Sequence, residues 1–189
     1  MKKLFSALAL LAVTGGVASA QDGMIRPEIR PFVGASIPTG TQRDLFNDAP
    51  LYGLQAALEI RPSFHLLGTF GYVPGQATFL NARDDVQILD YNVGVEFNMV
   101  RQLGASWLFK PFLGVGAGAR TYLYDAATLK NRTCTAGYGA LGTEFQLGRA
   151  AIRLEGRDNV FCYKSPLPRV KSQTRNDVGL SAGLAYHFR

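Results

Sequence analysis

The chain contains 189 residues, with 20 Lys and Arg against 14 Asp and Glu, so its formal net charge is +6 at pH 7. Because this charge is small and scattered along the sequence, it does not indicate a nucleic-acid-binding protein. Hydrophobic residues make up 47% of the chain, but no stretch after Ala20 approaches the roughly 18 to 20 consecutive apolar residues of a spanning helix. If the chain is exported, as the next observations indicate, two classes of protein fit this composition: a soluble β protein and a membrane β-barrel.

The first twenty residues have the pattern of a secretory signal peptide. Two lysines precede an apolar run over residues 4–13, and the sequence ASA at residues 18–20 is a small-residue cleavage site. The apolar run is too short for a membrane helix. We therefore expect residues 1–20 to be removed on export and residues 21–189 to form one domain.

Eight runs of alternating apolar and polar residues, bounded by Pro, Gly, Asn and Asp clusters, predict eight β-strands. They lie near residues 28–38, 51–61, 64–73, 86–100, 107–122, 135–147, 150–161 and 176–188. An even number of strands in one domain is typical of a barrel that closes by pairing its first strand with its last. The predicted fold is therefore an all-β, eight-stranded antiparallel up-and-down transmembrane β-barrel.

The connections between the predicted strands alternate in length. Those after strands two, four and six are short turns, around Pro62, from Arg101 and at Gly148-Arg149. The other four are longer and cover residues 39–50, 74–85, 123–134 and 162–175. Short turns at one end and long loops at the other are typical of outer-membrane barrels, whose turns are periplasmic. We therefore predict an integral outer-membrane protein with both termini on the periplasmic side.

The two faces of the predicted strands differ in chemistry. In strand four, Val93, Val95 and Phe97 alternate with Gly94 and Glu96. Charges of both signs share the polar face with glycine and alanine, which suits a crowded interior better than a solvated surface. Aromatic residues on the apolar face gather near the strand ends, as interfacial girdles do. The apolar face is therefore predicted to meet lipid, and a soluble lipocalin-like binding barrel is the alternative.

One hairpin allows its register to be predicted. A two-residue turn at Gly148-Arg149, with glycine first, is typical of type II′ and sets Leu147 opposite Ala150. Glu144 then lies opposite Arg153, and each inward residue faces another inward residue. A shift of one position would break this match.

Charged residues on the inward face are nearly balanced in sign. Eight strands leave an interior that side chains can just fill, and buried charges are tolerable only as hydrogen-bonded pairs. We therefore expect a plugged or very narrow lumen, with at most a narrow or gated conductance, held by pairs such as Glu144 with Arg153. The residues assigned to these lumen ion pairs are Glu96, Lys110, Arg120, Glu144, Arg153, Glu155 and Arg157.

Cys134 and Cys162 are the only cysteines in the sequence, and two cysteines in an exported protein usually form a disulfide. Both lie at the loop ends of strands six and seven. The predicted register leaves them one position apart and on opposite faces, so a disulfide requires one bulge at the rim. Such a bulge would also turn Asp158 inward. We predict that the disulfide forms.

His65 and His187 are the only histidines and are predicted to point inward near the periplasmic end. We interpret them as hydrogen-bonded lumen residues rather than as a metal pair. Ser63, His65 and Glu59 lie at a periplasmic turn, whereas a lipid A-modifying barrel enzyme would need its catalytic groups on the outer-leaflet side. The sequence therefore predicts no enzyme activity, no metal and no cofactor.

A basic segment follows strand seven and contains Lys164, Arg169, Lys171 and Arg175 without an acidic residue. Such a cationic rim suits contact with the phosphates of anionic lipid or a surface polymer, with an affinity that salt weakens. A solvated loop without a partner is the alternative.

These patterns resemble the eight-stranded outer-membrane barrel families that include the OmpA transmembrane domain, the OmpX and OmpW types and the opacity-like proteins. The most motif-like part is the final GLAYHFR, in which Leu184, Tyr186 and Phe188 match the last strand that such proteins present to the barrel-assembly machinery. That pattern usually finishes on the aromatic residue, whereas Arg189 follows here. The resemblance is specific for architecture, and our leading hypothesis for function is a structural or envelope-interaction role in outer-membrane lipid. OmpW-like passage or binding of a small apolar ligand is the alternative, and the charged inner face argues against it.

Overall fold

The computed structural model of the chain describes residues 26–79, 82–103, 106–125, 131–163 and 173–188. The predicted signal peptide at residues 1–20 lies outside these ranges. Within the described ranges, no helix is both long and apolar enough to cross a membrane.

Eight long strands and one short strand form where the sequence alternates between apolar and polar residues. They are β1 (Arg26–Pro38), β2 (Ala49–Arg61), β3 (Phe64–Phe79), β4 (Ala82–Asn98), β5 (Arg101–Leu103), β6 (Trp107–Tyr124), β7 (Arg132–Leu147), β8 (Ala150–Tyr163) and β9 (Gln173–His187). β5 pairs only with the start of β6, in the turn that follows β4. A 3-10 turn over Gly40–Gln42 lies in the loop between β1 and β2.

The eight long strands close into an antiparallel barrel. Neighbours in the sequence pair with one another, β4 pairs with β6 across the β5 turn, and β1 pairs with β9. The predicted fold, an eight-stranded up-and-down barrel, is therefore confirmed. We call the end that contains Ser63, Arg101 and Gly148 the short-turn end, and the opposite end the loop end.

The predicted register of the β7–β8 hairpin is also confirmed. Leu147 lies opposite Ala150 and Glu144 opposite Arg153, and the pairing continues without a shift to Ala136 and Phe161. Gly148 has a φ of +63°, in the left-handed region that glycine adopts most readily. The turn glycine thus fixes which side chains of the two strands face each other.

The β3–β4 hairpin is longer than the sequence pattern predicts. Residues 74–85 were expected to form a loop, but the ladder continues to the pair Phe79 and Ala82. Pro74 and Gly75 are poor strand residues, so local propensity did not signal this extension. The two strands continue because their backbone N–H and C=O groups pair with each other along the extended ladder, which outweighs the poor strand propensity of these two residues.

The apolar face of the barrel points outward, as predicted. Large hydrophobic side chains on every long strand are exposed, and Val93 reaches 68% exposure. The inward face is polar and tightly packed. A side chain at Gly94 or Gly116 would collide with Tyr138, which explains why small residues alternate with charged ones on this face.

Candidate functional site

The lumen of the barrel contains most of the buried charge of the described chain. The charged side chains buried there are Glu28, Arg30, Asp90, Glu96, Lys110, Arg120, Glu144, Arg153 and Asp177. Each reaches the lumen because it occupies an inward position of its strand. Such charges are costly to bury unless they are paired, so their partners decide what the lumen can do.

Arg153 on β8 lies at the centre of the ion pairs near the short-turn end. It contacts Glu96 on β4 most closely and lies 3.0 Å from Glu155 on its own strand. Glu144, the partner predicted from the hairpin register, is 3.8 Å away. The guanidinium also stacks 3.5 Å above the ring of Phe112. One arginine therefore joins three carboxylates and an aromatic ring across the lumen.

Two further arginines extend this arrangement. Arg30 Nε donates to Glu28 at 2.9 Å, and its Nη1 donates to Glu96 at 3.2 Å. Arg157 lies 2.7 Å from Glu155 and its guanidinium lies 4.1 Å from the centre of the Tyr138 ring. We call the connected set the short-turn network: Glu28, Arg30, Glu96, Lys110, Glu144, Arg153, Glu155 and Arg157. It ties β1, β4, β6, β7 and β8 together from inside.

Both histidines belong to the same end of the lumen and contact the same carboxylate. His65 Nε2 lies 3.2 Å from Glu28, and His187 Nδ1 lies 2.8 Å from it. His187 Nε2 also lies 3.3 Å from Glu144, where Lys110 approaches to 3.6 Å. Each histidine therefore has at least one ring nitrogen close to a carboxylate oxygen. Imidazole nitrogen and carboxylate oxygen are both atoms that can bind a metal ion.

A second group of charges, the loop-end network, consists of Asp90, Arg120 and Asp177. Arg120 on β6 donates from Nε to Asp90 at 2.6 Å and from Nη2 at 2.9 Å. Its Nη1 contacts Asp177 on β9, and the guanidinium stacks 4.4 Å from the centre of the Phe161 ring. This bidentate contact is the strong geometry for an arginine and a carboxylate. Arg120 thus links β4 to β9 across the barrel.

Above the loop-end network the lumen is closed by aromatic rings. This aromatic plug consists of Phe46, Tyr122, Tyr124, Phe161 and Tyr163. Phe46 comes from the loop between β1 and β2, is 3% exposed, and its ring centre lies 5.6 Å from that of Tyr122. The plug therefore combines strand residues with one residue that a loop folds back into the mouth.

Hydrogen bonds hold that loop over the mouth. Thr39 Oγ1 donates to the carbonyl of Asn176 at 2.9 Å. Arg175 Nη1 donates to Gln42 Oε1 at 3.0 Å. We call this loop between β1 and β2 the lid. The sequence patterns did not predict it. Its signal was a pair of adjacent large hydrophobic residues, Leu45 and Phe46, within an otherwise polar loop.

Little space remains between the two networks. One cavity of about 30 Å³ lies beside Asp90, Glu155 and Arg157, and another of about 10 Å³ lies beside Arg30 and Arg153. A buried water needs roughly 10 to 15 Å³ of such volume, so these cavities suit a few water molecules. A wider groove of about 470 Å³ lies outside the plug, between the loop of residues 47–50 and the β3–β4 hairpin.

The predicted disulfide is not present. Cys134 is a buried free thiol and Cys162 is an exposed free thiol. The β7–β8 pairs show no register shift, so the bulge that would have aligned the two thiols is missing. Asp158 accordingly stays on the exposed outer face, where Asn176 donates to it at 3.4 Å.

The last strand has the predicted arrangement of outward residues. Leu184, Tyr186 and Phe188 are all exposed, and the Tyr186 and Phe188 rings meet edge to face with centres 4.9 Å apart. In the predicted basic rim, Lys164, Arg169 and Lys171 lie outside the described residues. Arg175 instead contacts the lid, and its guanidinium lies 4.7 Å from the centre of the Tyr163 ring.

No protein-family model matches the chain, and no curated protein matches it. Among solved structures, Neisserial surface protein A matches with a TM-score of 0.65 and 10% identity, over 88% of this chain and 100% of that chain. OprG, an outer membrane protein from Pseudomonas aeruginosa, matches with a TM-score of 0.55 and 16% identity, over 88% and 95% of the two chains. The N-terminal β-barrel domain of Pseudomonas aeruginosa OprF matches with a TM-score of 0.53 and 12% identity, over 88% of this chain and 100% of that chain. At these identities the similarity shows a shared fold, that of the small outer-membrane barrels.

Proposed function

We propose that this chain is an integral outer-membrane protein that spans the bilayer with its apolar wall outward and both termini on the periplasmic side. The exposed hydrophobic residues of every long strand support insertion into lipid, because a soluble barrel would leave them in water. The short turns at one end and the longer connections at the other support the orientation. The likeness to outer-membrane barrels supports the compartment.

Within the membrane, the barrel has a structural or envelope-interaction role and admits at most a narrow, gated ion current. The observation that carries this proposal is that both ends of the lumen are filled, one by the short-turn network and the other by the aromatic plug. Passage of a small apolar ligand would require an apolar path along the whole lumen. The ion pairs of Arg30 and Arg153 cross that path.

The partners follow from the two ends of the molecule. At the loop end, we assign contact with anionic lipid or a surface polymer to Lys164, Arg169 and Lys171, whose charges suit phosphate groups. Arg175, the fourth basic residue of this segment, also contacts Gln42 of the lid. At the other end, Leu184, Tyr186 and Phe188 form the outward surface that the barrel-assembly machinery would read.

Membrane insertion is tested by fractionation and electrophoresis of the native protein. We expect it in the outer-membrane fraction, with different mobilities in SDS before and after boiling, because a closed barrel stays folded in cold detergent. Recovery from the soluble periplasm with a single mobility would contradict the proposal.

The closed lumen is tested by recording currents from the purified protein in a planar bilayer. We expect no steady current, or only brief small openings, because the two networks and the plug leave cavities of water size. A large, steady conductance would show that the lumen is open and would contradict the proposed role.

The envelope contact is tested by binding to vesicles of anionic and zwitterionic lipid. Replacing Lys164, Arg169 and Lys171 together by Gln should weaken salt-sensitive binding of the detergent-solubilised protein to anionic vesicles. Replacing Arg149, which is exposed at a short turn, by Gln provides the matched control. Equal binding by both variants would remove the basic segment from the proposal.

A further inference from the structure

Two buried atoms at the short-turn end face each other, and neither makes a hydrogen bond of good geometry with any described residue. They are His187 Nε2 and Glu144 Oε1, which lie 3.3 Å apart. His187 is 8% exposed and Glu144 is 2% exposed. A nitrogen lone pair and a carboxylate oxygen repel each other at this distance unless a proton or a cation lies between them.

The other nitrogen of His187 explains why its lone pair faces Glu144. His187 Nδ1 lies 2.8 Å from Glu28 Oε1, so whenever the ring is neutral its single N–H is directed at Glu28 and the lone pair is on Nε2. Glu28 is itself fixed by Arg30 at 2.9 Å. A histidine that donates one N–H to a carboxylate and directs its other nitrogen elsewhere is the usual arrangement of a metal ligand.

The distance between the two atoms fits a metal ion. Two ligands bonded at roughly 2.0 to 2.2 Å to a tetrahedral ion such as Zn²⁺ lie about as far apart as His187 Nε2 and Glu144 Oε1. Imidazole and carboxylate together suit ions of the zinc class better than Mg²⁺ or Ca²⁺, which prefer oxygen alone. We propose that His187 and Glu144 bind one divalent transition-metal ion at the short-turn end of the lumen, with Glu28 orienting His187 and water completing the coordination.

Lys110 opposes the metal. Its Nζ lies 3.6 Å from Glu144 Oε1, the same oxygen that is directed at His187. The ammonium and the ion would repel each other, which limits the affinity of the wild-type site. Removing this charge should therefore strengthen metal binding, an outcome that a purely structural role of Glu144 would not give.

His65 provides the matched histidine control. It also contacts Glu28, at 3.2 Å, but its Nδ1 lies 3.0 Å from Asn98 Nδ2. Both of its ring nitrogens therefore have partners, and neither is directed at an unpaired oxygen. We exclude His65 from the proposed site.

The test is calorimetric titration of the folded, detergent-solubilised protein with Zn²⁺ after treatment with a chelator. We expect one Zn²⁺ per chain and no comparable binding of Mg²⁺. His187→Gln and Glu144→Gln should each weaken binding by at least about tenfold, because each removes a ligand. Lys110→Met should bind several-fold more tightly, and His65→Gln should bind like the wild type.

Several results would overturn the proposal. These are no Zn²⁺ binding by the wild type, equal binding by His187→Gln, or weaker binding by Lys110→Met. The first of them would mean that a proton alone separates His187 from Glu144. The shift in SDS mobility on boiling verifies that each variant is folded. Should His187→Gln fail to fold, the direction of change in Lys110→Met decides the question.

Discussion

The two halves of the lumen are filled by different chemistry. The short-turn half is ionic, and its side chains all belong to strands, as with Arg30 and Arg153. The loop-end half ends in an aromatic plug, one ring of which, that of Phe46, comes from a loop. The ionic half is therefore anchored in the strands of the wall, whereas the plug also depends on a loop held by an isolated β-bridge at Phe46 and by single hydrogen bonds rather than by a strand ladder.

The two ends of the lumen differ in how costly they are to open. Separating the short-turn network would leave buried charges without partners, which is costly. Withdrawing Phe46 would instead expose aromatic surface and break the bonds of Thr39 and Gln42, which hold the lid. We therefore expect that any opening begins at the loop end, which we call the mobile barrier, while the short-turn end, the fixed barrier, stays closed.

The largest effect is expected from Arg153→Met, which removes the arginine that joins Glu96 and Glu155. Leaving these carboxylates uncompensated should lower the free energy of unfolding by about 3 to 5 kcal/mol. Urea titration monitored by the fluorescence of Trp107, the only tryptophan, measures the change. Arg149→Met at the exposed turn is the control and should stay within about 0.5 kcal/mol of the wild type. A loss below about 1 kcal/mol for Arg153→Met would show that the ionic half is not the fixed one.

The next effect concerns the wall that surrounds both halves. Val93 lies on the outer face, opposite Gly68 and Ala117. In lipid vesicles, Val93→Arg should lower the free energy of unfolding by about 2 to 4 kcal/mol, because the charge would lie in the hydrocarbon. Ser106→Arg, at an exposed turn, is the control. An unchanged free energy of unfolding for Val93→Arg would mean that this face does not contact lipid. The two halves would then not be the interior of a membrane barrel.

A smaller change in stability is expected from Phe46→Ala. Truncating a fully buried phenylalanine to alanine usually lowers the free energy of unfolding by about 3 to 5 kcal/mol. Here the loop can rearrange to fill part of the cavity, so we expect a loss of about 2 kcal/mol. The more informative readout is the planar bilayer, where openings should become more frequent. Asn47→Ala, at the exposed neighbour, should not change them. Unchanged currents in Phe46→Ala would place the mobile barrier elsewhere.

The smallest effect is expected from a reducing agent. Both thiols, Cys134 and Cys162, lie in the loop-end half and are free. Reductant should therefore shift the free energy of unfolding by less than about 0.5 kcal/mol, whereas loss of a disulfide would cost about 2 to 5 kcal/mol. A shift of that larger size, with a matching change in thiol titration, would show that the loop end is covalently fixed.

The wall of the barrel could be predicted from the sequence because its signal is local. Alternation assigns Val93 and Glu96 to opposite faces without knowledge of any partner. The turn glycine at position 148 then sets the register of β7 against β8. Both depend on residues within one or two strands.

The contents of the lumen were less predictable because they depend on strands that do not neighbour each other. The hairpin register puts Glu144 beside Arg153, but the closest partner of Arg153 is Glu96 on β4. That contact crosses the barrel and depends on strand tilt and stagger, which alternation does not report. The disulfide prediction was wrong for a related reason, since a bulge depends on the fit of the whole ladder.

The pairing of β1 with β9 has a consequence for how the chain reaches its folded state. Glu28 lies opposite His187, so the final ladder joins the two ends of the described chain. Contacts this distant in sequence form slowly, because the entropy of closing the loop must be overcome first. Until then β1 and β9 both have unpaired edges that can associate with other chains. Substitutions that weaken this ladder should therefore reduce the yield of assembled protein before they reduce the lifetime of barrels that have already closed.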